Sequence, residues 1–422
     1  MGTRMIRPAA ALAALLATPA LSATDPVLEW NSIMMTTTAT QNPFFQARFA
    51  AITQLAVFEA VNSVTGDYEP YLGTIAAQRT ASTAAAAVAA AHGVLRNYFP
   101  GGAATLDSAR ANSLAAIPDG AAKQEGVAVG EAAAAAMIAL RASDGSAPPE
   151  FHLPASTAVG EWQLTPSCPP AGGVLVQWRN LQPFGVETTD QFRSNRPPVI
   201  TSGRYTEDYD EVKRVGGVMS QSRPQDRADV ARFYAAAFTV PVWNTAAAQV
   251  AAAQGRSLSE NARAFALLNA AISDGLASVM ETKYFYNDWR PETAIRAGDT
   301  DGNARTQSDL DFMPFVLTPC FPSYPSAHGA AAGAAREVLE RLYGPSHHFI
   351  QLTTPTLPAV VLQYSAFKQI ADDIDDARVF GGIHYRFDQE AGGQLGRRVG
   401  AYVYTHTLRR LRGDSDEWDP KD

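Results

Sequence analysis

The sequence predicts an all-α protein made of helical bundles with long ordered loops. Two observations favour this fold class. Apolar residues recur at helical spacing in many separate segments, as at Phe45, Phe49, Ile52 and Leu55. No alternation of strand and helix patterns and no repeat of fixed period occurs along the 422 residues. With 46% hydrophobic and 18% charged residues, the chain has the composition of a globular protein with one large or two ordinary domains.

The predicted helices fall into two groups on either side of a region rich in proline. Those of the first group lie at 44–61, 80–99, about 103–116 and about 121–143. Those of the second group lie at 206–218, 224–238, 243–253, 257–283, about 326–342, about 359–378 and about 384–412. The helix at 257–283 opens with Ser257 and Glu260, which have the spacing of a capping box.

Residues 144–203 between the groups contain nine prolines, and they also contain Trp162 and Trp178. Side chains of this size need burial, so the sequence predicts a long ordered loop, and loops of this length in compact domains are often functional. We therefore expect an N-terminal helical region at 24–255 that includes this loop. A C-terminal helical bundle at 256–412 would carry the oxyanion site whose residues are described below, and it would be followed by a frayed tail at 413–422.

The first 23 residues have the pattern of a signal peptide. Arg4 and Arg7 precede a short apolar run, and small residues end at Ala23, where we expect cleavage. A frayed apolar helix is the alternative. The run is too short to span a bilayer, so we expect a secreted or periplasmic protein without stable membrane insertion. Cys168 and Cys320 could pair in such a compartment, and the sequence leaves this open.

The formal charge of −8 argues against a nucleic-acid partner. The basic residues that stand out are Lys283 and Arg290, seven positions apart in an aromatic segment and followed by Pro291. If the helix continues to Arg290, both side chains point the same way, and Pro291 ends the helix. Cations in such a setting need an anion to compensate them. A snorkelling lysine and a salt-bridged arginine are the alternative.

A second segment runs from Thr318 through three prolines to Ser326, Ala327 and His328, where an alanine-rich helix begins. Ser326 stands at the expected N-cap. The free N–H groups of the first turn favour an anion there. A histidine beside that anion can exchange protons with it.

The third segment contains Arg378, His384 and Asp388. The histidine and the aspartate are one helical turn apart, so the carboxylate can orient the imidazole. Gly381 and Gly382 permit the backbone to approach a ligand closely. A surface His–Asp pair is the alternative. The three segments together supply three cations and two histidines, which suit a tetrahedral oxyanion such as phosphate or vanadate.

The order Lys-x6-Arg-Pro, Pro-Ser-x-His and Arg-x5-His-x3-Asp resembles the motifs shared by vanadium-dependent haloperoxidases and type 2 phosphatidic acid phosphatases. The sequences that flank the motifs are more similar to those of the bacterial haloperoxidase branch. The resemblance is firm over residues 255–410 and loose over the N-terminal half. It implies a haloperoxidase-like or acid-phosphatase-like helical fold.

The resemblance also implies roles for individual residues. Lys283, Arg290 and Arg378 would bind vanadate oxygens, with Ser326 and the N–H of Ala327 as further donors. His384 would be the axial vanadium ligand, or the phosphorylated nucleophile of a phosphatase, and Asp388 would orient it. His328 would be the acid–base residue. The family commonly has Gly at the position of Ala327 and Ser at the position of Ala377.

We expect a vanadate-dependent haloperoxidase that uses hydrogen peroxide with a halide or a small organic substrate. Phe321 would place an aromatic ring near the halide. Phosphate could occupy the site without vanadate, and a homo-oligomer is possible. The alternatives are an acid phosphatase with a phosphohistidine intermediate and a protein that only sequesters the anion. Cation sites at Asp299–Asn303 and at His347–His348 are minor alternatives.

Overall fold

The computed structural model describes residues 25–411, so the expected signal peptide and the tail lie outside the described residues. The helices before the long loop are α1 (Pro26–Thr37), α2 (Pro43–Thr65), α3 (Thr83–Tyr98), α4 (Ala103–Ala115) and α5 (Ala121–Leu140). The four helices predicted in this half are confirmed. The helix α1 was not predicted.

The helices after the loop are α6 (Gly203–Val215), α7 (Gln225–Ala236), α8 (Thr239–Gln254), α9 (Leu258–Tyr286), α10 (Pro291–Arg296), α11 (Ala327–Tyr343), α12 (Phe367–Val379) and α13 (Arg386–His406). Two antiparallel strands, β1 (Ser346–Leu352) and β2 (Leu362–Ala366), form a small hairpin. The all-α fold class is therefore confirmed, with this hairpin as its one sheet among the described residues.

Several predicted helix boundaries were wrong, among them the end of the helix expected at about 384–412, which the structure places at His406. The helix α9 ends at Tyr286, because Asn287 adopts the left-handed conformation with φ 54°; Pro291 begins α10 and does not end α9. The helix expected at about 359–378 begins at Phe367, because the residues just before it pair with β1 as strand β2.

The helix α9 lies at the centre of the fold. Its N-terminus has the predicted capping box, in which Ser257 N–H donates to Glu260 Oε2 at 2.9 Å and Glu260 N–H donates to Ser257 Oγ at 3.3 Å. It packs against α2 on one side and against α11 and α13 on the other. One apolar core therefore includes Phe58, Leu267 and Val399, and the division of the chain at residue 255 stays a prediction.

The helices α11 and α13 pack closely through small residues. A Cβ atom added at Gly396 would lie 2.0 Å from the carbonyl oxygen of Ala330, so only glycine permits this approach. The close packing brings the start of α11 beside the start of α13. The backbone contact Ser326 N–H to Asp388 O, at 2.9 Å, joins the two starts.

The long loop at 144–203 is fixed at several points, as its composition predicted. Trp162 and Trp178 are fully buried. The carboxylate of Asp274, in α9, accepts hydrogen bonds from the backbone N–H groups of Phe184, Gly185 and Val186 at 2.7 to 3.0 Å. Cys168 forms a disulfide with Cys320, with Cα atoms 5.0 Å apart. The pairing that the sequence left open is therefore present.

Among the helices between residues 25 and 411, none is long and apolar enough to cross a membrane.

Candidate active site

The three motif segments meet at one cavity of about 440 Å³. The last turn of α9 and the connection to α10 supply Lys283 and Arg290, the start of α11 supplies Ser326 to His328, and the connection from α12 to α13 supplies Arg378 and His384. Ala327, His328, Arg378 and His384 line the cavity. Lys283, Arg290 and Ser326 are completely buried beside them.

Lys283 fixes the loop before α11. Its Nζ donates to the carbonyl oxygens of Pro322 at 2.8 Å and Ser323 at 2.5 Å. Burial and the nearby charge of Arg290 lower the pKa of Lys283 well below its ordinary value. Through its two hydrogen bonds the lysine positions the motif segment.

Arg290 lies at the N-cap of α10 and connects all three segments. Its Nε donates to Phe321 O at 2.9 Å, and its Nη1 donates to Ile383 O at 3.0 Å and lies 3.0 Å from His384 Nε2. Its Nη2 is buried and has no hydrogen-bond partner among the described residues. Burial lowers the pKa of Arg290 to about 9, which is still high enough for the side chain to be charged at neutral pH.

Arg378, at the end of α12, has more buried N–H groups without a hydrogen-bond partner than Arg290 has. It is 3% exposed, and neither Nε nor Nη2 has a hydrogen-bond partner among residues 25–411. Burial lowers its pKa to about 10. A buried guanidinium without an acceptor costs free energy. The unsatisfied N–H groups of Arg290 and Arg378 are therefore able to donate to an anion.

His384 is oriented by Asp388, as the sequence predicted. Its Nδ1 lies 2.7 Å from Asp388 Oδ2, and the same oxygen accepts from Ser323 Oγ at 2.6 Å and from Tyr385 N–H at 3.2 Å. Since a carboxylate only accepts, Nδ1 carries the proton and Nε2 keeps its lone pair. The helix α13 begins two residues after His384, so Asp388 serves both as an N-terminal cap and as the orienting group.

The electrostatics keep His384 neutral. Burial and the charges of Arg290, Lys283 and Arg378 lower the pKa of His384 well below 6.5. Burial raises the pKa of Asp388 to about 6, while the hydrogen bond from Ser323 opposes this shift. At neutral pH the site therefore contains a neutral imidazole, with an available lone pair, beside a carboxylate.

Ser326 is the N-cap of α11, and its Oγ accepts from the N–H of Gly329 at 3.2 Å. Its hydroxyl proton remains available for a further acceptor. The N–H groups of Ala327 and His328 belong to the first helical turn, which has no intrahelical acceptors for them. Because Ala327 lines the cavity, the start of α11 presents the positive end of its dipole there.

His328 differs from His384 in having no orienting group. It is half-buried, lines the cavity, and makes no hydrogen bond to a described residue. Burial and the charges of Arg378, Lys283 and Arg290 lower the pKa of His328 well below 6.5. Its ring is free to exchange a proton with a bound molecule.

Gly382 was expected to let the backbone approach a ligand closely. In the structure, the backbone at Gly382 instead approaches another loop. It has φ 78°, and an added Cβ would lie 2.3 Å from the carbonyl oxygen of Gly216. The glycine therefore holds the connection from α12 to α13 against the end of α6, which fixes the position of His384.

Two residues of the site were not predicted. Ser323 supplies the hydroxyl that holds Asp388, and the signal for it was a further small hydroxyl residue three positions before Ser326. Asp288 lies near Lys283 and Asp388, and burial and the charge of Asp388 raise its pKa well above the ordinary value. Nothing in the sequence distinguishes Asp288 from a surface aspartate.

The ring of Phe321, at the edge of the cavity, contacts the cations, as expected for an aromatic near the site. Its centroid lies 5.2 Å from Lys283 Nζ and 5.1 Å from Arg290 Cζ. It directly follows Cys320, so the disulfide to Cys168 links the long loop to this wall of the cavity.

The two minor cation sites have other contacts. Asp299 accepts hydrogen bonds from Ser308, and His348 Nε2 lies 2.9 Å from Gly344 O. Between residues 25 and 411, no group of three or more His, Cys, Asp and Glu side chains is placed to hold a metal cation.

Comparison with known families gives a match over residues 263–413 to the family described as the VCPO second helical-bundle domain. These residues contain all of the motif side chains. No significant match was found among curated proteins.

Solved structures match over most of the chain. The first bacterial vanadium-dependent iodoperoxidase is 22% identical, with a TM-score of 0.75 over 92% of this chain and 97% of its own. A bacterial vanadium-dependent chloroperoxidase in its holo form is 16% identical, with a TM-score of 0.70 over 88% and 93%. An apo form of such a chloroperoxidase is 14% identical, with a TM-score of 0.71 over 85% and 92%.

At these sequence identities the solved structures show the fold alone. The family match also covers the segments that contain the motif side chains. The resemblance found in the sequence is therefore confirmed: residues 263–413 match the family described as the VCPO second helical-bundle domain, and the chain has the fold of the bacterial vanadium haloperoxidases.

Proposed function

We propose that the protein is a vanadate-dependent haloperoxidase, which oxidises a halide with hydrogen peroxide. The observation that carries the proposal is a set of buried N–H groups without acceptors, on Arg290 Nη2 and on Arg378 Nε and Nη2, beside the oriented imidazole of His384. Buried guanidinium groups normally have hydrogen-bond acceptors, so N–H groups without an acceptor in a protein interior support a bound anion as their partner.

The donor set fits vanadate. Lys283, Arg290 and Arg378 would hold its oxygens, with Ser326 Oγ and the N–H of Ala327 as further donors. His384 Nε2 would be the ligand to vanadium, since a neutral imidazole whose other nitrogen donates to a carboxylate is a common metal ligand. When bound, vanadate supplies a Lewis acid that activates hydrogen peroxide without changing its own oxidation state. Phosphate has the same shape and charge type and would compete for the donors.

Arg290 controls the ligand nitrogen. Its Nη1 now lies 3.0 Å from His384 Nε2 and also bonds to Ile383 O. With an oxyanion bound to His384, Nη1 would still donate to the carbonyl of Ile383, and Nη2 would be available to donate to the anion. Asp388 and Ser323 hold the ring of His384 in place.

His328 moves the proton. In the net reaction the halide loses two electrons, the O–O bond of hydrogen peroxide breaks, and one oxygen leaves as water after taking up a proton. His328 is neutral in the free site and lines the cavity. It takes a proton from peroxide as peroxide binds and returns one to the departing oxygen.

The proposal includes an oxidising compartment outside the cytoplasm. The disulfide between Cys168 and Cys320 supports this location, because such bonds persist mainly in oxidising compartments.

The test uses the purified full chain freed of bound anions and titrated with orthovanadate. We expect bromination of a phenol-type probe that requires peroxide and bromide and rises with vanadate up to one equivalent. Hydrolysis of p-nitrophenyl phosphate without vanadate is measured alongside. Phosphate-ester turnover that vanadate inhibits, without bromination, would show an acid phosphatase. Stoichiometric binding of both anions without turnover would show a sequestering protein.

A further inference from the structure

A second cavity lies at the opposite end of α9 from the candidate active site. Its volume is about 320 Å³, and small-molecule sites commonly have volumes of roughly 300 to 1,000 Å³. It is lined by residues from the connection between α8 and α9, from the end of α11 and from the chain after α13. The helix α9 carries Arg263 at this end and Lys283 at the other, so about 30 Å of helix separates the two sites.

Four arginines line this cavity, which we call the arginine pocket: Arg256, Arg263, Arg341 and Arg410. Glu260 is the one acidic side chain among the described residues of its lining. The formal charge of the whole chain is −8, so this concentration of positive charge stands out. Because like charges repel one another when they are brought together, an anion in the arginine pocket would be bound favourably.

The acidic neighbours of the arginine pocket lie at its border. Glu260 Oε1 lies 3.2 Å from Arg256 Nη1 and 3.7 Å from Arg410 Nη2. Glu337 does not line the pocket, and its Oε1 lies 2.8 Å from Arg341 Nη2. The lining residues themselves therefore carry four positive charges and one negative charge.

Aromatic rings and backbone contacts position the guanidinium groups. The Cζ atom of Arg263 lies 5.1 Å from the ring centroid of Tyr68, and that of Arg256 lies 5.6 Å from the ring centroid of Tyr343. Arg256 Nη2 also donates to Leu342 O at 3.1 Å, which holds the start of α9 against the end of α11. Stacking of this kind restricts the orientation of a guanidinium group, so an anion would immobilise little additional side chain on binding.

Tyr343 supplies a hydrogen-bond donor to the same cavity. The residue is 7% exposed and lines the arginine pocket, and its hydroxyl group is buried without a hydrogen-bond partner among residues 25–411. Burial raises the pKa of Tyr343 well above its ordinary value, so the hydroxyl keeps its proton at neutral pH. Buried hydroxyl groups normally have a partner, and an oxyanion in the arginine pocket would accept this hydrogen bond.

We propose that the arginine pocket binds a small organic polyanion, a molecule with two or more carboxylate or phosphate-type groups. Guanidinium groups bind carboxylates and phosphates through the same pairs of N–H donors. Arg341 would hold one anionic group, and the hydroxyl of Tyr343 would donate to the same molecule. A ligand with a single anionic group would use only part of the lining. The site is separate from the candidate active site and does not depend on the proposed function.

Arg341→Gln tests the proposal, and α11 also provides its control. Arg341 Nε donates to Glu337 Oε1 at 2.9 Å, and Arg336 Nε donates to Glu340 Oε1 at 2.7 Å. The side chains of Arg341 and Arg336 are 23% and 21% exposed. Arg336 does not line the arginine pocket. Arg336→Gln is therefore the matched control, since each change removes one charge and one ion pair from the same helix.

The experiment is calorimetric titration of the full chain, without vanadate or peroxide, with citrate and with methylenediphosphonate, whose P–C bonds a phosphatase does not cleave. We expect saturable binding to the original protein and to Arg336→Gln, and a site about tenfold or more weaker in Arg341→Gln. Both variants retain the candidate active site, so polyanion binding there contributes equally to both. Binding of citrate supports a carboxylate ligand, and binding of methylenediphosphonate alone supports a phosphate-type ligand.

Two further measurements test the chemistry of recognition. Triethyl citrate, the neutral ester, should bind about tenfold or more weakly than citrate, because it lacks the charges. Tyr343→Phe should weaken polyanion binding by about threefold or more. Without a polyanion, this variant should keep the free energy of unfolding, because the hydroxyl has no partner in the described chain. Circular dichroism and urea unfolding verify that all variants are folded.

Absence of saturable binding of both polyanions, or equal affinities of the two arginine variants, would overturn the proposal. Equal binding of citrate and its neutral ester would also overturn it. So would an unchanged affinity in Tyr343→Phe, since the ligand would then not contact the hydroxyl. Because these titrations need no turnover, their results are independent of the proposed function.

Discussion

At one end of the cavity, Arg290, His384 and Asp388 are held by short hydrogen bonds in a buried network, whereas at the other end Phe44 and Leu317 contribute apolar surface. Leu317 is 79% exposed, while Arg290 and Asp388 are completely buried. The polar end is fixed by residues close to three short motifs. The apolar end of the cavity depends on how parts of the chain that are distant in sequence pack together.

Among the substitutions at the polar end of the cavity, His384→Ala is expected to have the largest effect on activity. We expect vanadate-dependent bromination to fall by about 10³-fold or more, because the variant lacks the only imidazole nitrogen that Asp388 orients. Initial bromination rates at saturating vanadate measure this. His406→Ala, a change of an exposed histidine in α13, is the control and should keep full activity. Equal activity of the two variants would contradict the role of His384.

Arg378→Gln separates anion binding from folding. We expect phosphate affinity to fall by about 10²-fold or more, since each lost charge-assisted hydrogen bond contributes about 1.5 to 3 kcal/mol. Without phosphate, the free energy of unfolding should not fall, because the arginine has unsatisfied donors in the empty site. Urea unfolding with and without phosphate measures both quantities.

Arg214→Gln removes an exposed arginine on α6 and is the control for Arg378→Gln. Its phosphate affinity should equal that of the original protein. If the two variants have equal phosphate affinities, Arg378 does not bind the anion.

The double substitution Cys168→Ser and Cys320→Ser tests the connection between the two ends. We expect the free energy of unfolding to fall by about 2 to 5 kcal/mol, measured by urea unfolding. Phosphate affinity should change by less than about threefold, because the hydrogen bonds that hold Arg290 and His384 do not involve the disulfide. A loss of about tenfold or more in phosphate affinity would show that the disulfide supports the polar end.

The pH dependence of sulfate binding tests His328. Its pKa is lowered in the free site, and a bound dianion should raise it, so binding takes up a proton. Sulfate keeps its charge between pH 4 and 9, roughly. Its affinity should therefore increase by up to about tenfold per unit as pH falls below the pKa of the complex, and level off below the pKa of the free site.

Calorimetric titrations of sulfate at several pH values measure this slope, with His328→Gln as the comparison. The variant should have a smaller slope. An unchanged slope would show that another group takes up the proton.

The smallest effect is expected for Ala327→Gly. The N–H donor is retained, so phosphate affinity should change by less than about threefold, while stability falls by up to about 1 kcal/mol from the added backbone freedom. Phosphate titration and urea unfolding measure these changes. A gain of tenfold or more in affinity would show that the Cβ of Ala327 obstructs the anion.

The sequence predicted the residues that meet at the polar end, because N-cap chemistry and one-turn spacing are local. It did not predict the backbone conformation that brings these residues together. Arg290 reaches His384 from a second helix because Asn287 ends α9 in the left-handed conformation. The apolar end of the cavity could not be predicted, since Phe44 meets Phe321 through packing over most of the chain, and the Cys168–Cys320 bond closes a separation of 152 residues.

The long loop is fixed by the disulfide and by the three hydrogen bonds to Asp274. A ligand that enters the cavity therefore has little chain to order, and little conformational entropy is lost on binding. The heat-capacity change of binding should then reflect only the apolar area that the ligand and the cavity bury together, without a contribution from coupled folding. Ligands of increasing apolar area would give proportionally more negative values until the cavity is full.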